Sequence, residues 1–350
     1  MNSLALGRAL LRTAQISCLC AIMMCRQAPA GEIQVYQPSP QVTGEVTCGG
    51  GDTMQPLVEA WTQSLQEHIP LVRVSVDASV KLAAGGFAGL LEGRFNCAMF
   101  VREPFPSELR AFEDKFGYEP LLISVANGSY DTKGGTHAIA IYVNISNPVD
   151  KLTLDQLDAI FSRSLRRGFP RHVTRWEDLG YTDEWAKRPV HVYGMIRQRD
   201  TGNPPGIVNF FQQRVLLGGS LCDELLEQKD RPGESSLQAI VNRVAEDPDG
   251  IGFSGFGFGR AGVKALAIGE SADGPFYSGG QENVAQRLYP LSRQIYILVN
   301  RAPQTAMPEA LREFLLFAVS SEGQALLAKN PTGFLPLTAD QAQEARSKIR

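Results

Sequence analysis

The chain has 350 residues, of which 43% are hydrophobic and 20% are charged. This balance is typical of a globular protein with a large core, and the length exceeds one common domain, so we expect two packed lobes. The formal net charge of −3 argues against nucleic acid or an acidic membrane surface as a partner. Local dipoles and individual cations must therefore hold any anion that binds.

The first thirty residues have the composition of a secretory signal. Arg8 and Arg12 precede an apolar run over 13–25, and the segment Ala28-Pro29-Ala30 has the small-x-small form that a signal peptidase accepts. The run is too short to span a bilayer. We predict a signal peptide over 1–30, cleavage near Ala30, and a periplasmic or secreted mature protein with a net charge of about −6.

The cysteines give a weaker signal. A lipoprotein is less favoured than a free protein, because Leu19 and Met24 are bulky where a small residue must precede the lipid-bearing cysteine. The mature chain keeps Cys48, Cys97 and Cys222, an odd number, so at least one thiol is unpaired. A bridge between Cys48 and Cys97 is possible in an oxidising compartment, but the spacing does not decide it.

Strand and helix patterns alternate through the first half of the chain. A strand at 45–48 leads through three glycines to a helix capped by Asp52 or Thr53 and ended by Pro70. The alternation over 72–76 predicts a half-buried strand. Further predicted elements follow in this order: a glycine-rich turn at 83–86, a short helix to Gly93, a strand at 97–101, a helix at 107–116, and strands at 121–126 and 137–143.

The alternation continues to the end of the chain. Predicted helices lie at 154–161, 235–245, 308–319, 321–329 and 339–348, and predicted strands at 190–193, 250–259, 263–268 and 294–299. Such spacing predicts an α/β fold with mostly parallel strand pairing. We expect residues 31–138 to begin lobe I, residues 139–270 to form lobe II, and residues 271–350 to return to lobe I, with two crossover strands between them.

Two segments, one in each predicted lobe, have the composition of an anion site. In the second lobe, a strand runs into a basic turn with Arg197 and Arg199, then Asp200-Thr201-Gly202-Asn203, two prolines and a helix-like run over 207–211. A helix start has free N–H donors and a partial positive charge, and glycine allows close approach of the backbone. The segment Gly49-Gly50-Gly51-Asp52-Thr53-Met54 repeats this chemistry. Together they predict a cleft that holds an oxyanion from both sides, although two ordinary capped helices are the alternative.

Other motifs do not support an enzyme or a cofactor. The GxGxxG pattern at 257–262 is followed by a predicted strand where a dinucleotide site requires a helix. The four histidines share no metal-ligand spacing, and no Cys/His cluster is present. No pair of carboxylates is singled out for acid/base work. We therefore predict no catalytic residues, no metal and no cofactor.

Motifs over most of the chain resemble one known family. They include GGGDTM at 49–54, LTLDQLDAIFS at 152–162, GIGFSG at 250–255, YPL at 289–291 and SEGQ at 321–324. The chain resembles, from about 43 to 336, the PstS-type phosphate-binding receptors of phosphate ABC importers. The resemblance implies a two-lobed periplasmic binding protein of type II, inorganic phosphate as the ligand, an inner-membrane ABC importer permease as the partner, and a monomer.

The resemblance also implies a set of ligand contacts. In the family, the first helix start, a serine-bearing glycine turn, an acidic strand end and an Arg-x-x-x-Ser-Gly-Thr turn hold phosphate. Arg197 looks like the family arginine, which neutralises charge bidentately. The positions of this chain that match the family's ligand contacts are Thr53, Met54, Gly85, Asn96, Arg197, Thr201, Gly202 and Asn203.

Two departures from the family pattern bear on the ligand. The turn at 83–86 offers no hydroxyl, and Asn96 stands where the family has an aspartate that accepts the proton of hydrogen phosphate. An asparagine there predicts weaker rejection of sulfate-like anions. Each lost hydrogen bond to a charged ligand is worth about 1.5–3 kcal/mol, so two losses predict an affinity lower by about a hundredfold or more.

Three functions follow in order of preference. The first is an exported, non-enzymatic receptor that closes two lobes on a tetrahedral oxyanion, with phosphate favoured, for an ABC importer. The alternative is a binding-protein scaffold with a degenerate ligand site that acts as an adaptor, sensor or extracellular interaction protein. A phosphate-ester hydrolase or transferase is the least favoured, because it needs a nucleophile or metal that the sequence does not indicate.

Overall fold

The computed structural model describes residues 31–39, 41–198 and 202–350. The predicted signal peptide and the predicted ligand residue Thr201 lie outside these residues. The strands in chain order are β1 (Gly44–Gly50), β2 (Val72–Val76), β3 (Cys97–Phe100), β4 (Leu121–Ser129), β5 (Ile139–Asn144), β6 (Lys151–Thr153), β7 (His191–Met195), β8 (Leu226–Gln228), β9 (Gly250–Gly255), β10 (Val263–Ala265), β11 (Ala267–Gly269), β12 (Phe276–Tyr277), β13 (Gln294–Val299) and β14 (Phe334–Leu335).

The helices confirm most of the predicted pattern. The prediction of a helix at 154–161 is confirmed, whereas the glycine-rich stretch predicted as a turn at 83–86 is the first turn of a helix. The helices in chain order are α1 (Gln55–His68), α2 (Ala83–Glu92), α3 (Pro106–Phe116), α4 (Leu154–Phe161), α5 (Gly206–Arg214), α6 (Ser236–Glu246), α7 (Gln281–Ala285), α8 (Glu309–Ala318), α9 (Ser321–Ala328) and α10 (Ala339–Ile349).

Lobe I is built on a six-stranded sheet with the order β14-β4-β13-β3-β1-β2. β1 pairs in parallel with β2 and β3, whereas β13 pairs in antiparallel fashion with β3 and β4, as β14 does with β4. One core covers this sheet with α1 and α8. Trp61 and Phe314, both fully buried, lie edge to face within it.

Lobe II contains a five-stranded sheet with the order β10-β5-β9-β7-β8 and a small sheet of β12, β11 and β6. β7 pairs in parallel with β8 and β9, but β5 pairs in antiparallel fashion with β9 and β10. The prediction of an α/β fold is confirmed, and the prediction of mostly parallel pairing is wrong for both large sheets. The physical reason is that the strands flanking the crossovers, β4, β5 and β13, run opposite to their neighbours.

Two adjacent crossover segments join the lobes. The Gly128 N–H donates to the Arg293 carbonyl at 2.8 Å, and the Ile139 N–H donates to the Leu291 carbonyl at 3.1 Å. Residues beyond 270 still pack in lobe II, because β12 pairs with β11 and Tyr289 belongs to the lobe II core. We therefore propose that lobe II ends near residue 292 rather than at 270.

A disulfide ties the centre of lobe I. Cys48 and Cys97 face each other in the parallel register of β1 and β3 and are joined by a disulfide bond, with a Cα–Cα distance of 4.9 Å. The bridge that the spacing left open is therefore present. Cys222 is buried with a free thiol. Among the described residues, no helix combines the length and the hydropathy needed to cross a membrane.

Candidate functional site

The lobe I half of the predicted anion site, at 49–54, lies at the carboxyl end of β1. Gly51 has φ +23°, and a Cβ on it would lie 2.8 Å from the Met99 carbonyl oxygen. The backbone at Gly51 therefore lies directly against the end of β3. Only glycine permits so close an approach. A short 3-10 turn, Asp52–Met54, then leads into α1, and it leaves Thr53 exposed.

The start of α2 packs against this segment. A Cβ on Gly86 would lie 2.5 Å from the Gly49 carbonyl oxygen and 2.8 Å from the Gly50 Cα. The two glycine-bearing backbones are therefore in contact, which explains why small residues occupy both. The structure thus brings together the two lobe I segments that the sequence assigned to the ligand.

Two of the predicted donors in these segments are already used. The Met54 N–H donates to the Gly51 carbonyl at 2.7 Å, and the Gly85 N–H donates to the Leu82 carbonyl at 2.9 Å. Each bond closes a turn, so neither N–H points freely toward a ligand. Both N–H groups are therefore satisfied within the chain, and the roles of Met54, Gly85 and the exposed Thr53 hydroxyl in ligand binding stay predictions.

Asn96 lies away from this edge of the sheet. It precedes β3, and its side-chain oxygen accepts hydrogen bonds from the Thr47 N–H at 2.7 Å and the Thr47 hydroxyl at 3.0 Å. Thr47 lies three residues before the end of β1, whereas the other lobe I contacts follow that end. Asn96 therefore lies apart from the other lobe I contacts, and its role as an acceptor for the ligand stays a prediction.

Arg197 is held within lobe II. Its Nη1 donates to the Glu227 carboxylate at 2.7 Å, and its Nη2 donates to the carbonyls of Cys222 at 2.5 Å and Asp223 at 3.1 Å. The charge is therefore neutralised by a neighbouring strand of the same lobe. The Nε of Arg197 is buried and has no hydrogen-bond partner among the described residues, so its role as an anion-binding cation stays a prediction.

The helix α5 begins at Gly206, one residue before the helix-like run predicted over 207–211. Its N-cap is Pro205, and no side chain caps it. A residue before proline is disfavoured in helical conformation, so the two prolines at 204 and 205 push the helix start to Gly206. Gly202 and Asn203 therefore lie in the preceding loop. The side-chain oxygen of Asn203 accepts from the Ser107 hydroxyl at 3.4 Å, so this loop faces lobe I.

The start of α5 lies against a cation that the sequence did not single out. A Cβ on Gly206 would lie 3.4 Å from the Cβ of Arg102, which follows β3 in lobe I. Arg102 donates to both oxygens of the Glu108 carboxylate at 2.6 and 2.8 Å, and its guanidinium lies 3.8 Å from the centre of the Phe105 ring. The carboxyl end of β3 therefore meets the positive end of α5 across the cleft.

A second such cation, Arg293, lies at the hinge. Its side chain is 5% exposed, and its Nη2 donates to the Glu103 carboxylate at 2.6 Å. The same Nη2 would lie 3.9 Å from a Cβ on Gly206, and the guanidinium lies over the Phe210 ring at 5.4 Å. Arg293 is therefore enclosed between a carboxylate of lobe I and the first two turns of α5 in lobe II.

A buried amide adds direct contacts between the lobes. Asn209 on α5 is 1% exposed, and its Nδ2 donates to the carbonyls of Glu103 and Pro104, each at 3.3 Å. These bonds fix the start of α5 to the segment that follows β3. The contact between the lobes at this point is formed by Arg102, Glu103, Gly206, Asn209 and Arg293.

His137 lies in the adjoining crossover segment. Burial, and secondarily the charge of Arg293, lower the pKa of His137 to about 4. Its Nε2 is buried and has no hydrogen-bond partner among the described residues. The imidazole is therefore neutral at pH 7, and the positive charge at the hinge comes from Arg293.

Sequence reasoning missed Arg102 and Arg293 for identifiable reasons. Both lie next to a strand of the central sheet, but neither belongs to a glycine-rich or hydroxyl-rich motif. The YPL motif at 289–291 stops two residues before Arg293. Their positions beside predicted strand ends could have indicated them, because ligands of α/β sheets bind at the ends of parallel strands near a topological crossover.

Lobe II has two other features that could suggest a ligand. His191, Asp247 and Asp249 bring potential metal-ligand atoms within 4.8 Å of one another. However, His191 pairs with Asp247 at 2.7 Å and Asp249 pairs with Arg188 at 2.6 Å, so hydrogen bonds account for the cluster. A cavity of about 520 Å³ lies nearby, and its walls include Ile160, His172, Val192, Cys222 and Leu226.

Comparison with known proteins agrees with this architecture. The family model of the PBP superfamily domain matches residues 36–322. The crystal structure of PstS from Borrelia burgdorferi shares 15% sequence identity, covers 84% of this chain and 98% of that chain, and superposes with a TM-score of 0.52, which supports the fold. The chain therefore belongs to the PBP superfamily of two-lobed binding proteins.

Sequence relatives place the resemblance more narrowly. The phosphate-binding protein PstS of Pseudomonas aeruginosa is 33% identical over 314 residues, which cover 90% of each chain. Protein SphX of Synechococcus elongatus is 26% identical over 334 residues, 94% of this chain and 88% of that protein. The predicted resemblance to PstS-type receptors is confirmed over nearly the whole chain.

Proposed function

We propose that this protein captures inorganic phosphate, or a similar tetrahedral oxyanion, between its lobes as the receptor of an ABC importer. The names of its relatives support phosphate, and the cleft supports an anion. The observation that carries the proposal is the position of Gly206 at the start of α5, where an added Cβ would lie 3.4 Å from the Cβ of Arg102 and 3.9 Å from Nη2 of Arg293. The first N–H groups of a helix and a nearby guanidinium are the donors that oxyanions prefer.

The proposed site uses a different set of groups from the one read off the sequence. Arg293 supplies the principal charge, the start of α5 supplies N–H donors, and Arg102 borders the site from lobe I. Thr53, Gly202 and Asn203 remain proposed contacts, as does Thr201. Closure of the lobes would bring these groups onto the anion from opposite sides, which is how a receptor of this architecture would enclose its ligand.

The expected selectivity also changes. The prediction of weaker sulfate rejection rested on Asn96, which lies away from the cleft and bonds to Thr47. With Asn96 removed from the site, that reason no longer applies. We propose phosphate as the preferred anion over sulfate because the relative of 33% identity is named a phosphate-binding protein.

The remaining parts of the proposal concern location and mode of action. The predicted signal peptide would direct the chain to the periplasm or outside the cell, where it would act as a monomer and deliver the anion to an inner-membrane permease. We propose binding without chemistry, so the protein should not turn over a chromogenic phosphate ester. Fractionation of cells that express the full chain, with detection of the mature N-terminus near Gly31, would test the export.

Isothermal titration calorimetry with phosphate, arsenate and sulfate tests the central proposal. The protein should first be unfolded and refolded in phosphate-free buffer, because a bound anion would mask binding. We expect saturable heat from phosphate and arsenate, and weaker heat from sulfate at the same ionic strength. Absence of heat and of any thermal shift from all three anions would contradict the proposal.

A further inference from the structure

The cavity of lobe II lies apart from the contact between the lobes. It has a volume of about 520 Å³ and is enclosed by the end of α4, the start of β7 and the segment that leads into β8. Ligand pockets in proteins have volumes of about 300–1,000 Å³. The cavity is therefore large enough for a small organic molecule.

The inner walls of the cavity are apolar. Four buried side chains, each 1–5% exposed, supply aliphatic groups: Ala159, Ile160, Val173 and Val192. At the mouth, Leu226 on β8 is 44% exposed. A molecule that fills the cavity would cover this surface, and removing apolar surface from water is favourable. The walls therefore favour a ligand with an apolar body.

Hydrogen bonds hold the walls in place without a ligand. On one side, the Cys222 N–H donates to the Phe161 carbonyl at 2.8 Å, and the Arg197 Nη2 donates to the Cys222 carbonyl at 2.5 Å. On the other side, the Val173 N–H donates to the Ala159 carbonyl at 3.1 Å. The cavity is thus preformed, as most small-molecule sites are.

The charges at the mouth are unequally compensated. Asp223 pairs with Arg163, and His191 pairs with Asp247 at 2.7 Å. The neighbouring wall residue Glu224 is exposed, and its carboxylate takes no hydrogen bond or ion pair from the part of the chain that the structure describes. An uncompensated carboxylate attracts a cation. The mouth therefore favours a positively charged group.

We propose that this cavity is a second ligand site, and that it binds a small molecule with an apolar body and a basic amine. The apolar body packs against the aliphatic walls, and the ammonium group lies beside Glu224 at the mouth. The inference goes beyond the proposed function, because it involves neither the oxyanion nor the contact between the lobes.

Equilibrium dialysis of the mature protein tests the class of ligand. The probe is phenylbutylamine, and phenylbutanol and phenylbutyrate are its neutral and anionic counterparts. We expect saturable binding of the amine, about threefold tighter than that of the alcohol, because an exposed charge pair contributes only modestly. The carboxylate should bind most weakly. An amine that binds no better than the alcohol would overturn the proposed class, and absence of binding by all three would overturn the site.

A pair of variants tests the role of the carboxylate. Glu224→Gln should bind phenylbutylamine no more tightly than phenylbutanol, because the charge at the mouth is lost. Glu184→Gln, which alters another exposed carboxylate of lobe II away from the cavity walls, is the matched control and should keep the threefold preference. Both side chains are exposed, so neither change should impair folding. A preference that survives in Glu224→Gln would contradict the assignment.

A crystal soaked with bromophenylbutylamine tests the location, because anomalous scattering locates the bromine atom. We expect a peak inside the cavity, between α4 and β7. A peak elsewhere, or none at a saturating concentration, would overturn the proposal. None of these measurements uses phosphate, so the second site and the proposed oxyanion site can fail independently of each other.

Discussion

Arg197 and Arg293 each form an ion pair with a glutamate, but they differ in their exposure and in the lobes that they contact. Each donates to a glutamate, at 2.7 and 2.6 Å. Arg197 is 33% exposed and has its contacts inside lobe II, whereas Arg293 is 5% exposed and lies between a lobe I carboxylate and a lobe II helix. The contacts of Arg293 therefore span both lobes, whereas the described contacts of Arg197 lie within lobe II.

The largest expected effect comes from removing Arg293. Arg293→Gln leaves the Glu103 carboxylate buried without its counter-charge, and breaking such a pair costs about 3–5 kcal/mol. We expect a loss of this size in the free energy of unfolding, measured with urea, together with loss of phosphate binding. A cost equal to that of Arg197→Gln would contradict the distinction between the two arginines.

The burial of His137, and secondarily the charge of Arg293, should be visible in the pH dependence of unfolding. Because the pKa of His137 is lowered to about 4, the unfolded chain binds a proton near pH 6.5 and the folded chain does not. The folded protein therefore keeps its full free energy of unfolding above pH 6.5 and loses part of it as the pH falls toward 4. This loss reaches about 2 kcal/mol by pH 5. His137→Gln should remove this part of the pH dependence of unfolding, and the exposed His172→Gln should not. Parallel curves for His137→Gln and the unaltered protein would refute this.

A smaller effect is expected from the amide that joins the lobes. Asn209→Ala removes two hydrogen bonds to the carbonyls of Glu103 and Pro104, which should lower the free energy of unfolding by about 1–3 kcal/mol. It should also increase the radius of gyration of phosphate-depleted protein. Asn283→Ala, which removes an exposed bond within lobe II, serves as the control and should change neither quantity.

The smallest effect is expected for Arg197. Its pair with Glu227 is partly exposed, so solvent screens it, and Arg197→Ala should cost about 1 kcal/mol or less. Phosphate affinity should stay within about threefold of the unaltered protein. A loss of binding comparable to that of Arg293→Gln would restore the assignment made from the sequence.

Most helices and strands could be predicted from the sequence, because the patterns that specify them involve residues close together in the chain. The alternation of strand and helix, the glycines at 49–51 and the helix at α4 each follow from neighbouring residues. Pairing direction was not local, since β13 lies beside β3 and β4 only after the chain has returned from lobe II. The mostly parallel sheets that the alternation predicted are therefore mixed.

The candidate site was predicted less well, because it depends on contacts between residues that are far apart in the sequence. Thr53 and the loop at Asn203 were predicted from helix-start chemistry, and the structure brings Asn203 within 3.4 Å of the Ser107 hydroxyl in lobe I. Asn96 and Arg197 were predicted from the resemblance to the family pattern, and a linear pattern cannot show that these side chains bond to Thr47 and Glu227. Arg102 and Arg293 are about 190 residues apart and become neighbours of Gly206 through the fold. That proximity has no counterpart in a linear motif.

A crystal structure of the protein grown with arsenate tests the central claim most directly, because anomalous scattering locates the arsenic atom. The account predicts a peak between the lobes, with arsenate oxygens within hydrogen-bonding distance of Arg293 and the first N–H groups of α5. A peak beside Arg197 and Glu227, or a cleft without any peak at saturating arsenate, would contradict it.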